Sequence, residues 1–162
     1  MSKSDTGRRV LGIDPGPERC GVVLYQGGRV LASEKAMDVS RVLRYLKDHP
    51  TAHHVGIERV QSYGISGASL LETAEVCGRL HQRSLDLGMI TTLHYRREVL
   101  RCLDVAGKGN RDSLVRQRLI EMHGGHLKAA KGTKAAPGPL YGVAGHAWQA
   151  LAVALTALAV LS

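Results

Sequence analysis

Short apolar runs punctuated by glycine occupy the first third of the chain, and helical periodicity takes over after them. Residues 9–13 (RVLGI) form an apolar run that ends in Asp14-Pro15-Gly16, the pattern of a strand entering a tight turn. Residues 20–25 (CGVVLY) are β-rich, Gly27-Gly28 supplies a hairpin turn, and 29–33 reads as the returning strand. Apolar positions at Val39, Val42, Leu43 and Leu46 have the spacing of a helix over 39–47. Residues 55–60 read as a buried strand carrying one acid, Glu58. A Ser- and Gly-rich loop covers 61–68, a long amphipathic helix 70–87, a short strand 89–93 and a brief helix 96–103. After the loop 107–110 comes a helix over 112–122, with Asn110 or Asp112 as its cap. Residues 124–142 are basic and irregular, and a last helix runs from about Val143 to the end. Three antiparallel strands followed by alternating helix and strand predict an α/β fold, a mixed sheet with helices on both faces. One domain accounts for all 162 residues, with 1–7 expected to be flexible.

Composition narrows the class. Hydrophobic residues make up 44%, enough for a buried core and against wholesale disorder. The 22 Lys and Arg exceed the 14 Asp and Glu, and the resulting formal charge of +8 favours a polyanionic partner such as nucleic acid, a merely soluble basic protein being the plain alternative of equal weight. Cys20, Cys77 and Cys102 are odd in number and without C-x-x-C spacing, which argues against a disulfide framework or a structural zinc and for buried thiols in a reducing compartment. The N-terminus does not read as a signal peptide, and the closing run AWQALAVALTALAVLS is short for a membrane span and contains Gln149. A cytoplasmic protein with no membrane partner is expected.

Four polar residues in apolar surroundings are candidates for chemistry. Asp14 ends a buried strand beside Pro-Gly, where a side chain is held rigidly yet reaches solvent, as a metal ligand must. An Asp in that position also simply starts turns. Glu58 lies inside HHVGIERVQ, where a carboxylate is costly unless it is paired, cation-bound or turned outward. His146 and Gln149 are three apart in a helix otherwise built of Ala, Leu and Val, so they share a face and need partners, a satisfied buried histidine being the plain alternative.

In order and spacing, the segments LGIDPG, VGIERV and HAWQALAVAL resemble the three signature segments of the RuvC-type Holliday-junction resolvases. LLETAEVCGRL resembles the long helix of that family, and GKGNRDSLVRQRLI its glycine loop and basic helix, so that about 150 residues are covered. The resemblance implies a ribonuclease H-like fold and a homodimer on four-way DNA junctions. It implies paired hydrolysis of opposed strands with Mg2+ or Mn2+, two ions per site. On this reading Asp14, Glu58, His146 and Gln149 are the catalytic and metal-binding residues. His146 falls where many members have Asp and some have His, whereas Gln149 replaces a family Asp and brings no charge. Tyr63 stands in for an aromatic wedge, and Arg111, with Lys108 beside it, for a catalytically important lysine. Arg79, Arg83, Arg116, Arg118, Lys128, Lys131 and Lys134 are the expected contacts to the DNA arms. A broader flap or fork nuclease, and a junction-binding protein with cleavage impaired by Gln149, remain alternatives. A sugar kinase of the same superfold ranks last, because the chain is too short for two lobes.

Overall fold

A computed structural model describes residues 7–48, 52, 54–62, 64 and 67–161. Five strands form one sheet: β1 (Val10–Asp14), β2 (Arg19–Gln26), β3 (Arg29–Asp38), β4 (His54–Arg59) and β5 (Ile90–Tyr95), in the order β3-β2-β1-β4-β5. The first three pair antiparallel, while β4 runs parallel to β1 and β5 parallel to β4. The antiparallel start and parallel continuation are those read from the sequence. β3 is twice as long as the apolar run suggested. It is an edge strand, largely exposed, so its second half carries mostly polar residues and only Met37 enters the core.

Side-chain parity along β1 and β4 sorts the core into two layers. Leu11, Ile13, Val55 and Ile57 face α1 (Val39–Asp48) and α2 (Ala68–Asp86), with Val42, Leu46, Val76 and Leu80. Val10 faces the other layer, around α6 (Ala147–Val160), with α3 (Arg96–Cys102), α4 (Arg111–Met122) and α5 (Leu127–Lys131) packed about it. Along α6 every residue from Ala147 to Leu158 is buried. It lies close against the strands because the sheet presents glycine there. A Cβ on Gly12 would come within 2.0 Å of the Ala150 carbonyl oxygen, and one on Gly21 within 2.3 Å of that of His146. Contact this tight excludes any side chain.

Two expectations about the C-terminal third need correction. The closing helix begins at Ala147, not Val143. Ahead of it, bonds from Ala147 N to Ala144 O and from Trp148 N to Gly145 O make a tight i→i+3 turn. The segment 124–142 is not simply irregular: it contains α5 and a bridge between Gly132 and Pro137. Ala130, Leu140 and Val143 are wholly buried, and Val30 N bonds to Pro139 O. Among the described residues no helix is long and apolar enough to cross a membrane. All three cysteines are free, Cys20 and Cys77 buried and Cys102 exposed.

Candidate active site

Asp14 and Glu58 end adjacent parallel strands. Ile13 pairs with Ile57, so the two acids stand side by side at the C-terminal edge of the sheet. Each is two residues beyond a glycine, Gly12 or Gly56, that faces α6, and the period of two therefore directs both carboxylates to the α6 side. There the N-terminus of α6 brings His146 and Gln149. His146 Nδ1 donates to Asp14 Oδ2 at 3.2 Å, and the ring is 75% exposed. With the carboxylate ionised, this bond leaves the Nε2 lone pair of a neutral imidazole free. These four residues line a cavity of about 610 Å³ with Pro15 to Arg19, Ala36, Arg96 and Asp112.

The site is electrostatically unfinished. Burial pushes the Asp14 carboxyl up to about 6, with His146 and Arg96 opposing the shift and Asp112 adding to it. Burial, and then the Asp14 charge, push Glu58 up to about 7, Arg96 again opposing. Glu58 Oε2 is buried and accepts no hydrogen bond; its ion-pair partner, Arg96 Nη1, is 3.8 Å away. Two neighbouring carboxylates short of positive charge, one oxygen unpartnered, at the floor of an open cavity are a donor set suited to a hard divalent cation. Magnesium is commonly held by one or two carboxylates, with water and substrate phosphate completing the shell. Among the described residues no group of three or more His, Cys, Asp or Glu is placed to hold a metal ion, so His146 and Asp112 do not complete a cluster with Asp14 and Glu58.

Arg96 is the residue that sequence reasoning missed. It opens α3 directly after β5, and a bond from Tyr95 N to the Glu98 carboxylate at 2.7 Å fixes that junction. From there its guanidinium donates to Gln149 Oε1 and to Asp112. Asp112 is free to accept because Asn110 is the cap, taking bonds from Asp112 N and Ser113 N. Nothing in the string YRREV distinguishes Arg96 from Arg97. Its partners lie 16, 38 and 53 residues away, so only the folded chain reveals them.

The remaining expected DNA contacts are scattered. Arg116 adjoins the site, its guanidinium 5.3 Å from the centre of the Trp148 ring, in a cleft of about 350 Å³ that shares Asp112, His146 and Gln149 with the main cavity. Arg111 is exposed at the start of α4 and does not line the cavity, and Lys108 is exposed in the loop before it. Arg118 has local bonds, to the Leu103 carbonyl at 3.0 Å and to Glu121. Arg79 and Arg83 lie on α2, across the sheet from α6; Lys128 and Lys131 lie on α5 and Lys134 just after it. Tyr63 lies outside the described residues.

No protein-family model matches the chain, and no curated protein sequence matches it. Among solved structures 27 chains match. One is T. thermophilus RuvC in complex with a Holliday junction substrate, 22% identical with a TM-score of 0.62, the alignment covering 92% of this chain and 91% of that one. Another structure of Thermus thermophilus RuvC is 22% identical at a TM-score of 0.60, over 91% and 92% of the two chains. The yeast mitochondrial Holliday junction resolvase Ydc2 is 10% identical at 0.54, over 94% of this chain and 79% of its own. The chain has the fold of RuvC, a ribonuclease H-like mixed sheet flanked by helices.

Proposed function

We propose that this protein is a structure-selective DNA endonuclease that resolves four-way junctions, using magnesium or manganese and acting as a homodimer. The observation that carries the reading is the pair of buried, under-neutralised carboxylates, Asp14 and Glu58, at the floor of an open cavity beside His146. The RuvC structure with a Holliday junction supports the choice of substrate, and the +8 charge supports a polyanionic one.

A bound divalent ion neutralises the phosphodiester and acidifies water. The protein's own groups do the rest. Asp14 and Glu58 would hold such an ion near the strand ends, where the pairing of β1 with β4 fixes their spacing. The Asp14 bond orients the His146 ring so that Nε2 can take a proton from the attacking water, while the leaving oxygen takes its proton from solvent. Water oxygen bonds phosphorus, the bond to the 3′-oxygen breaks, and a 5′-phosphate and a 3′-hydroxyl result. Exposed arginines and lysines hold the arms by their phosphates, which gives affinity without sequence choice.

Cleavage of matched four-way, three-way, flap and linear duplex substrates, with magnesium and with manganese, tests the reading. Paired nicks confined to the four-way junction are expected. Equal cutting of flaps would replace it with a broader branched-DNA nuclease. The uncharged Gln149 favours a second reading, a junction-binding protein that does not cut; tight binding with no cleavage in either metal would select it.

A further inference from the structure

The Arg96 guanidinium lies between Glu58, Gln149 and Asp112 on the wall of the main cavity. It bridges three elements besides its own: Nη1 reaches Gln149 of α6 and lies 3.8 Å from Glu58 of β4, and Nη2 pairs with Asp112 of α4. The side chain is 27% exposed and lines the main cavity, so its charge faces both the acids and whatever enters. Two hydrogen-bond acceptors, Gln149 and Asp112, and the Glu58 charge at 3.8 Å hold it there, and its backbone is fixed at the β5–α3 junction.

Gln149 gives this arrangement its chemical sense. An amide carries no negative charge with which to hold a second divalent ion, but its oxygen is a good acceptor for a guanidinium. In this site the oxygen of the buried amide accepts from Arg96 and has its partner without a metal. A second divalent ion would have to displace a guanidinium that already has three partners. Arginine stays charged at any working pH and presents a planar fork suited to phosphate.

Building on the nuclease reading above, we propose that Arg96 replaces the second divalent ion: the site takes one ion, on Asp14 and Glu58, and the fixed guanidinium supplies the other positive charge to the phosphodiester.

The test counts Mn2+ ions bound per full-length chain by electron paramagnetic resonance. The protein is free, or saturated with a four-way junction bearing nonhydrolysable linkages, and the same DNA alone gives the baseline. Wild type should bind one ion. Arg96→Met should still bind one but cut the junction about 10²-fold more slowly, the size of loss expected when one fixed donor to a developing charge is removed. Arg96→Lys, which keeps the charge without the fork, should fall between them. The double change Arg96→Met with Gln149→Asp should admit a second ion and recover part of the lost rate. Two ions on a wild-type protein that cuts would overturn the proposal and leave the nuclease reading standing. Arg96→Met cutting at the wild-type rate would do the same. No bound Mn2+ and no cutting by wild type would take down the nuclease reading, and this proposal with it. The wild-type ion count does not depend on how well any variant folds.

Discussion

At the scale of single residues, the site rests on carboxylates placed where burial works against their charge. Glu58 has a folded-state value of about 7 against an ordinary 4.5, so the folded chain holds its proton more tightly than the unfolded chain does. The stability it contributes is full below its ordinary value and is lost as pH rises through about 7. In EDTA, the melting temperature of wild type should therefore fall relative to that of Glu58→Gln between pH 5 and pH 8. A gap of several degrees is expected, since about 1 kcal/mol corresponds to roughly 2–4 °C at this size. Scanning calorimetry at the two pH values measures it, and parallel behaviour of the two proteins would show that Glu58 bears no burial cost. Saturating Mg2+ or Mn2+ at pH 8 should close the gap. Asp14 and Glu58 stand out in the sequence only together, through the order and spacing of LGIDPG and VGIERV, since an Asp before Pro-Gly and a lone Glu in a strand each have a plain explanation. Arg96 and Asp112 do not stand out: arginine on a short polar helix and aspartate near a helix start have ordinary local explanations, and their pairing is made by tertiary structure alone.

At the scale of elements, alternation and periodicity located every strand and the long helices, with ends displaced by a few residues. They failed where burial ceased to be the organising signal. The second half of β3 gives only Met37 to the core because the strand lies on the sheet edge. The segment 124–142 looked formless because glycine, proline and lysine dominate it, yet its few apolar residues are anchored in the α6 layer. The closing helix was extended four residues too far because buried Val143 continued its apolar pattern through a turn. The most demanding contact between elements is that of α6 with the strands. Gly12→Ala should destabilise the protein by at least about 1–3 kcal/mol, since the new methyl group meets backbone and α6 must lift. It should also reduce junction cleavage by moving His146 and Gln149 away from Asp14. Gly78→Ala, in α2 with nothing within 4 Å of the new methyl group, should be stabilising by about 0.5–1 kcal/mol. Urea denaturation of both variants checks the contrast, and equal midpoints would mean that α6 does not depend on the bare strand surface.

At the scale of the whole molecule, the proposed function makes charge and symmetry the determinants of an encounter with DNA. The +8 excess predicts junction binding that weakens steeply with salt. Replacing Lys128, Lys131 and Lys134 with Ala should reduce the slope of log affinity against log salt by up to about 0.9 for each phosphate no longer neutralised. An unchanged slope would place that segment away from the arms. On the proposed function, two equivalent cuts call for two equivalent sites, which a closed two-fold dimer would provide. On α2, Leu71 is 64% exposed and Leu85 is 46% exposed, and this helix is the expected contact. Sedimentation should give a dimer at micromolar concentration, shifting toward monomer in Leu71→Glu; a wild-type monomer that still makes paired nicks would refute the arrangement. The central claim is that Asp14 and Glu58 form the cation-holding floor of a junction nuclease. The most direct test measures binding and cutting of one synthetic mobile four-way junction by wild type, Asp14→Asn and Glu58→Gln, with Mg2+ or Mn2+, on native and denaturing gels. Both variants should bind at least as tightly as wild type, because each has lost a charge that repels phosphate, and cutting should fall by at least about 10²-fold. Either variant cutting at the wild-type rate would contradict the account.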